Sequence, residues 1–321
     1  MSEAGAGGAG HGSKKAIIAA LLANLGIAVA KFVGFLLTRS STLLAETAHS
    51  IADSTNQGLL LLGDRQAKRQ EDEHHQFGYG MARYFWSFVV ALVIFSLGAL
   101  FALYEGIEKL RHPHHIDRPS VAIVLLGVAF VFEGISIRTA IRESRIQKGP
   151  QSWWSFIRTA KVPELPVVLL EDLGALLGLA IAEVSIVGAL VTDNPRFDAY
   201  GTIAIAVLLG VIAIVLCVEM RSLLLGEAAS HDDRRALDQA ITGSPVVRRL
   251  IHVRTMHLGP EDVLVAAKVE FDASLSFADV AAAIDATEDR IRALLPTARV
   301  VYIEPAIFDE RRSAEDVRAS R

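Results

Sequence analysis

The chain has 321 residues, 52 % of them hydrophobic, with a mean hydropathy of +0.38; that length suits two domains, but so much apolar surface exceeds what a soluble pair buries, and a bilayer is its natural place. A net charge of -4, with 32 Lys and Arg spread between apolar runs, argues against a nucleic-acid partner. The single cysteine, Cys217, excludes an intrachain disulfide and thiolate zinc clusters, so any metal site must use His, Asp and Glu.

Residues 1–13, MSEAGAGGAGHGS, have almost nothing to bury and read as a disordered tail. Lys14 and Lys15 ahead of AIIAALLA resemble a signal peptide, but the apolar run continues past Asn24 and Lys31 to Leu37 and further spans follow, so a retained first helix is expected. Six segments are long enough to cross a bilayer as helices: 16–38, 41–63, 84–107, 119–139, 164–189 and 198–221. With the amino terminus in the cytoplasm, twelve Lys and Arg between Lys14 and Lys161 fall inside and only Arg39, Lys109, Arg111, Arg118 and Arg196 outside, which places both termini in the cytoplasm. The inner loop Glu71–His75 reads as a solvated surface, and the glycines of FGYGMAR, 77–83, permit a tight backbone where the chain returns to the membrane. His112, His114 and His115 read as an exposed turn.

Beyond Leu225 the composition becomes that of a soluble fold. Helical spacing at 231–243 and 277–294, and strand-like stretches at 249–257, 262–272 and 298–304, give the order helix, strand, strand, helix, strand over 226–310, followed by a charged tail at 311–321. The predicted fold is an all-α six-helix transmembrane bundle over 14–225 with a C-terminal α+β ferredoxin-like cytoplasmic domain. In that domain His252, His257, Glu261 and Glu304 are weak candidates for a second metal site; folding and dimer contact are the expected first duties of the hairpin around Gly259.

Ionisable groups inside a span cost roughly 2.5–3.5 kcal/mol each and need a partner or a function. The second helix carries Glu46, His49, Asp53 and Gln57 within about 80° of arc, one polar stripe directed away from lipid. An imidazole and a carboxylate at i and i+4 suit zinc and its first-row neighbours. Two ligands do not close a tetrahedron, and Glu171 and Asp172 in the fifth segment are the next candidates, with Glu183 returning near the face of Asp172. Lys31 reads as a structural partner for an acid of the second helix. No His-Glu-x-x-His motif or nucleophile pair occurs, so no enzyme and no bound cofactor are expected.

The run LLAETAHSIADSTNQGLLLLG, then HHQFGYGMARYFW, EGISIRTAIRES and VVLLEDLGALLGL, resembles the cation diffusion facilitators over about 14–305, in the branch that holds the ninth vertebrate zinc transporter and bacterial relatives. The resemblance implies six helices, a metal site shared by the second and fifth, a ferredoxin-like domain, a homodimer in membrane lipid, and exchange of a divalent metal, zinc first, for protons. The ligand pair of the second helix carries onto His49 and Asp53. On the fifth helix Asp172 matches the last position of the pattern His or Asp, three residues, Asp. The first position is Val168, which cannot ligate, leaving Glu171, Glu46 or a water as candidate fourth ligands. The departure leaves two alternatives: a transport-weak sensor or regulator, and a carrier of manganese, iron or cobalt.

Overall fold

The computed structural model describes residues 25–309. The tails expected at 1–13 and 311–321, and the stretch 16–24 of the first expected span, lie outside the described residues. The chain divides into two compact units, one reaching Asp64 and resuming over Tyr84–Arg221, the other combining Arg65–Arg83 with the chain from Ser222 onward. The loop between the second and third apolar segments therefore groups with the C-terminal residues rather than with the helices it joins.

The first unit holds, apart from the last residues of α2 and α7 and the first two of α3, the helices α1 (Leu25–Thr38), α2 (Ser41–Ala67), α3 (Ala82–Arg111), α4 (Pro119–Lys148), α5 (Trp153–Thr159), α6 (Glu164–Thr192) and α7 (Arg196–Leu225). Four of them, α3, α4, α6 and α7, are long and apolar enough to cross a membrane. Their outward residues, such as Val124, Val131, Val184, Val191 and Val207, are exposed and apolar, which makes this an integral membrane protein. The 27-residue α2 falls short of that hydropathy because its buried face carries Glu46, Thr47, His49, Ser50, Asp53 and Asn56. Within α3, Ile94–Leu100 relaxes into a π-helical turn, a local widening that the apolar pattern did not foretell. The short α5, capped by Ser152 accepting from the Ser155 amide, was likewise not predicted.

Helix ends follow local chemistry. Pro119 opens α4, where its missing N–H leaves nothing unpaired. Asp193, at φ 51°, ends α6 in the left-handed cap position. The helices close on Leu43, Leu126, Leu179, Ile186, Ile205 and Leu209. Small residues let backbones approach: a Cβ on Gly174 would stand 2.8 Å from Ile212 of α7, and one on Gly178 would stand 2.7 Å from Glu46 Oε1 of α2.

The second unit carries α8 (His231–Thr242), β1 (Val247–Gly259), β2 (Asp262–Phe271), α9 (Phe277–Leu294) and β3 (Val300–Pro305). The sheet order is β1-β2-β3, antiparallel between β1 and β2 and parallel between β2 and β3. Every second residue of β2, from Val263 to Phe271, turns inward onto Leu237, Ile241 and Ile291. Ser276 and Asp279 form a full capping box at the start of α9. The loop 65–83 is organised by Asp72, which accepts from the amides of His74 and His75 and from the Tyr79 hydroxyl at 2.5 Å. The Tyr79 bond, followed by those from His75 and His74, holds this carboxyl below its usual range. Gly80 meets Gly259 backbone to backbone: a Cβ on Gly80 would lie 2.6 Å from the Leu258 carbonyl oxygen.

Candidate metal site in the helix bundle

The polar stripe of α2 faces its neighbours in the bundle. Lys31 of α1, 2 % exposed, donates to Glu46 Oε2 at 3.1 Å and to Ser50 Oγ at 2.8 Å. That pairing offsets the desolvation of both charges and ties α1 to α2, as the sequence suggested for Lys31. One turn further, His49 Nδ1 lies 3.6 Å from Asp53 Oδ1, too far for a hydrogen bond. Both His49 nitrogens and Asp53 Oδ1 are buried without a hydrogen-bond partner, as is Glu46 Oε1. Buried polar atoms are paired in the great majority of folds, so a group of orphans on one stripe makes this the candidate site.

The acid that α6 brings to this stripe is Glu171. It is 6 % exposed, accepts from Asn56 Nδ2 at 3.2 Å and stands close enough to Asp53 for their carboxyls to interact directly. Two carboxyl groups in such contact repel unless a proton or a cation lies between them. Asp172 turns instead toward α4 and accepts from Ser136 Oγ at 2.9 Å. The α6 face carrying Glu171 continues through Gly174, Ala175 and Gly178, a stripe of small residues that settles against α2 and α7. Asp172 lies about 100° from that stripe, and so the match to the expected ligand position falls one residue away from the group that meets α2. Among the described residues, no three His, Cys, Asp or Glu side chains converge on one point. The arrangement is a pair, His49 and Asp53, with Glu171 beside it.

The weaker candidates are apart. Glu304 pairs with Lys268 at 3.2 Å, Glu261 with Arg83 at 4.0 Å, and His257 packs by its own strand end with Nδ1 3.3 Å from the Gly259 carbonyl. His74 and His75 bond within their loop to Asp72.

Sequence reasoning missed a second buried polar centre, at the junction of α1 and α2. Asp198 of α7, fully buried, accepts from Ser40 Oγ at 2.9 Å, Thr42 Oγ1 at 2.7 Å and the Ser41 amide at 3.0 Å, and pairs with Lys109 of α3 at 3.8 Å. It caps the first turn of α2 from another helix. A carboxylate opening an apolar span, as in RFDAYG, was the available signal.

The profile of the cation efflux transmembrane domain matches residues 17–225. The mitochondrial proton-coupled zinc antiporter SLC30A9 of Mus musculus is 32 % identical over 244 residues, 75 % of this chain and 43 % of that protein. Metal tolerance protein C4 of Arabidopsis thaliana is 31 % identical over 267 residues, covering 82 % of this chain and 58 % of its own. Zinc transporter ZitB of Pectobacterium atrosepticum is 26 % identical over 254 residues, 79 % of this chain and 74 % of its own. This chain thus spans less than half of the mouse protein and somewhat more than half of the Arabidopsis one.

Proposed function

This chain belongs to the cation efflux family, and from that premise we propose that it carries a divalent transition-metal ion, zinc first, out of the cytoplasm in exchange for protons. The observation that carries the reading is the stripe of orphaned donors on α2, His49 Nδ1, His49 Nε2 and Asp53 Oδ1, buried beside Glu171. One imidazole with carboxylate oxygens is a donor set that suits zinc and its neighbours. The relatives' names, a proton-coupled zinc antiporter and a zinc transporter, support the same cargo and the same coupling.

His49, Asp53 and Glu171 hold the ion, with Glu46 and Asp172 as flanking acids. A ligand must shed its proton to bind metal, so each site atom accepts a proton or the cation but not both, and release of one follows arrival of the other. Alternating access moves the site from one side to the other as the bundle rocks. Six spans support this motion: α2 is long enough to cross at 1.5 Å per residue, and its low hydropathy is the signature of an inward polar face. The excess of basic residues in alternate loops supports cytoplasmic termini. The order helix, strand, strand, helix, strand supports a ferredoxin-like second unit, through which two copies form a homodimer as the family resemblance implies.

The test is zinc uptake into vesicles holding the purified chain under an imposed pH gradient. Uptake that follows the gradient and is lost in His49→Ala and in Asp53→Ala is the expected result. Unaltered uptake in both variants overturns the reading, and binding without uptake in the unsubstituted chain assigns it to a sensor instead.

A further inference from the structure

One ionisable group in the bundle has no part in the site described above. Glu133 lies on α4 in the apolar run AFVFEGISI, where a carboxylate needs a partner or a task. One turn on, Ser136 bonds to Asp172 at 2.9 Å, so the i and i+3 face that Glu133 shares with Ser136 looks toward the acidic turn of α6. Glu133 acts electrostatically on Asp53, Glu171 and Asp172, the acids of two different helices.

Where α1, α2 and α4 meet, the bundle leaves a small, partly open pocket of about 10 Å³, lined by Ile27, Ser50, Asp53 and Glu133. That is the space of one water or one dehydrated cation. Two carboxylates line it, and Asp53, only 9 % exposed, has Oδ1 without a hydrogen-bond partner. The Lys31 ammonium donates to the Ser50 hydroxyl at 2.8 Å and stands within electrostatic reach of both Glu133 and Asp53.

We propose that Glu133 is a ligand of the carried cation, so that the site spans three helices, with α4 supplying a carboxylate opposite the His49 and Asp53 pair. The inference rests on the reading of that pair as the transport site and adds a fourth donor, from α4, to a set in which Val168 supplies none. One imidazole with three carboxylates is an oxygen-rich set, and oxygen donors favour harder ions than a nitrogen-rich set does. Glu133 therefore lets manganese compete with zinc at this site.

The test measures equilibrium binding of zinc and of manganese to the full-length chain in detergent, for Glu133→Gln, Glu133→Asp, Glu133→His, and Glu143→Gln as an exposed control on the same helix. The proposal expects Glu133→Gln to weaken zinc at least ten-fold and manganese more, Glu133→Asp to recover most of the loss, and Glu133→His to raise the zinc-to-manganese affinity ratio at least ten-fold. A packing role would not change that ratio, and the histidine variant carries the test if Glu133→Gln fails to fold. If Glu133→Gln and Glu133→His bind both ions as the unsubstituted chain does while His49→Ala does not, Glu133 is no ligand and the transport site stands. If His49→Ala and Asp53→Ala also bind unchanged, both the inference and the reading beneath it fail.

Discussion

Replacing Asp198 with alanine removes the acceptor of three short bonds to Ser40, Ser41 and Thr42 and leaves Lys109, whose side chain is 1 % exposed, without its carboxylate at 3.8 Å. The lost cap on α2 costs about 0.5–2 kcal/mol. The stranded buried charge costs about 3–5 kcal/mol. The two overlap, because Lys109 retains the Arg39 carbonyl at 3.5 Å and a contact with His114, and so a total near 4 kcal/mol is expected for this single change. At about 2–4 °C per kcal/mol for a unit of this size, the melting temperature of the purified chain falls by about 8–16 °C. Adding Lys109→Met removes the stranded charge and leaves mainly the cap, so the double variant should melt several degrees above Asp198→Ala. If the single and double variants melt together, or Asp198→Ala melts with the unsubstituted chain, then Asp198 is not the tie that fixes the start of α2.

Three further outcomes follow from the geometry. Gly178→Ala puts a Cβ 2.7 Å from Glu46 Oε1, whose carboxyl is tethered by Lys31, so α6 must shift; a loss of about 1–3 kcal/mol is expected with weaker zinc binding, measured by melting and titration. Gly80→Ala drives a Cβ into the Leu258 carbonyl, a backbone atom with nowhere to go, so loop 65–83 should lift and trypsin should cut at Lys68 and Arg69 much faster, while an unchanged cleavage rate would refute the contact. Asp272 is held at about 2 by the Ser274 hydroxyl, then its amide, with Arg248 adding to both. Its folded value is below the ordinary carboxylate value of about 3.9, so it favours folding above that pH and the contribution is lost as pH falls toward about 2. Asp272→Asn should flatten the acid dependence of hydrogen exchange in β2 across that window.

Much of this was legible in the sequence. Among the described residues, the strands of the second unit and most apolar segments lie within a few residues of their expected bounds, because hydrophobic period and length decide both, while the helix expected to end at 139 runs on to Lys148. The His49 and Asp53 pair was legible for the same reason: a polar stripe on a span has nowhere to point except inward. Rotation about the α6 axis is not legible from a motif match alone. The motif match falls on Asp172, whereas the small side chains at Gly174, Ala175 and Gly178 mark the packed face and lie in line with Glu171. Glu133 carries the same signal as Glu171, an acid in an apolar run. The Asp198 tie was the least legible, since its partners lie 156 to 158 positions earlier in the chain and only folding brings them together.

The most direct measurement is the zinc K-edge absorption spectrum of the full-length chain loaded with one equivalent of zinc. The account predicts one imidazole nitrogen with carboxylate oxygens around the ion, and loss of that nitrogen signal in His49→Ala. A spectrum with several imidazoles, or one unaltered by His49→Ala, would contradict it.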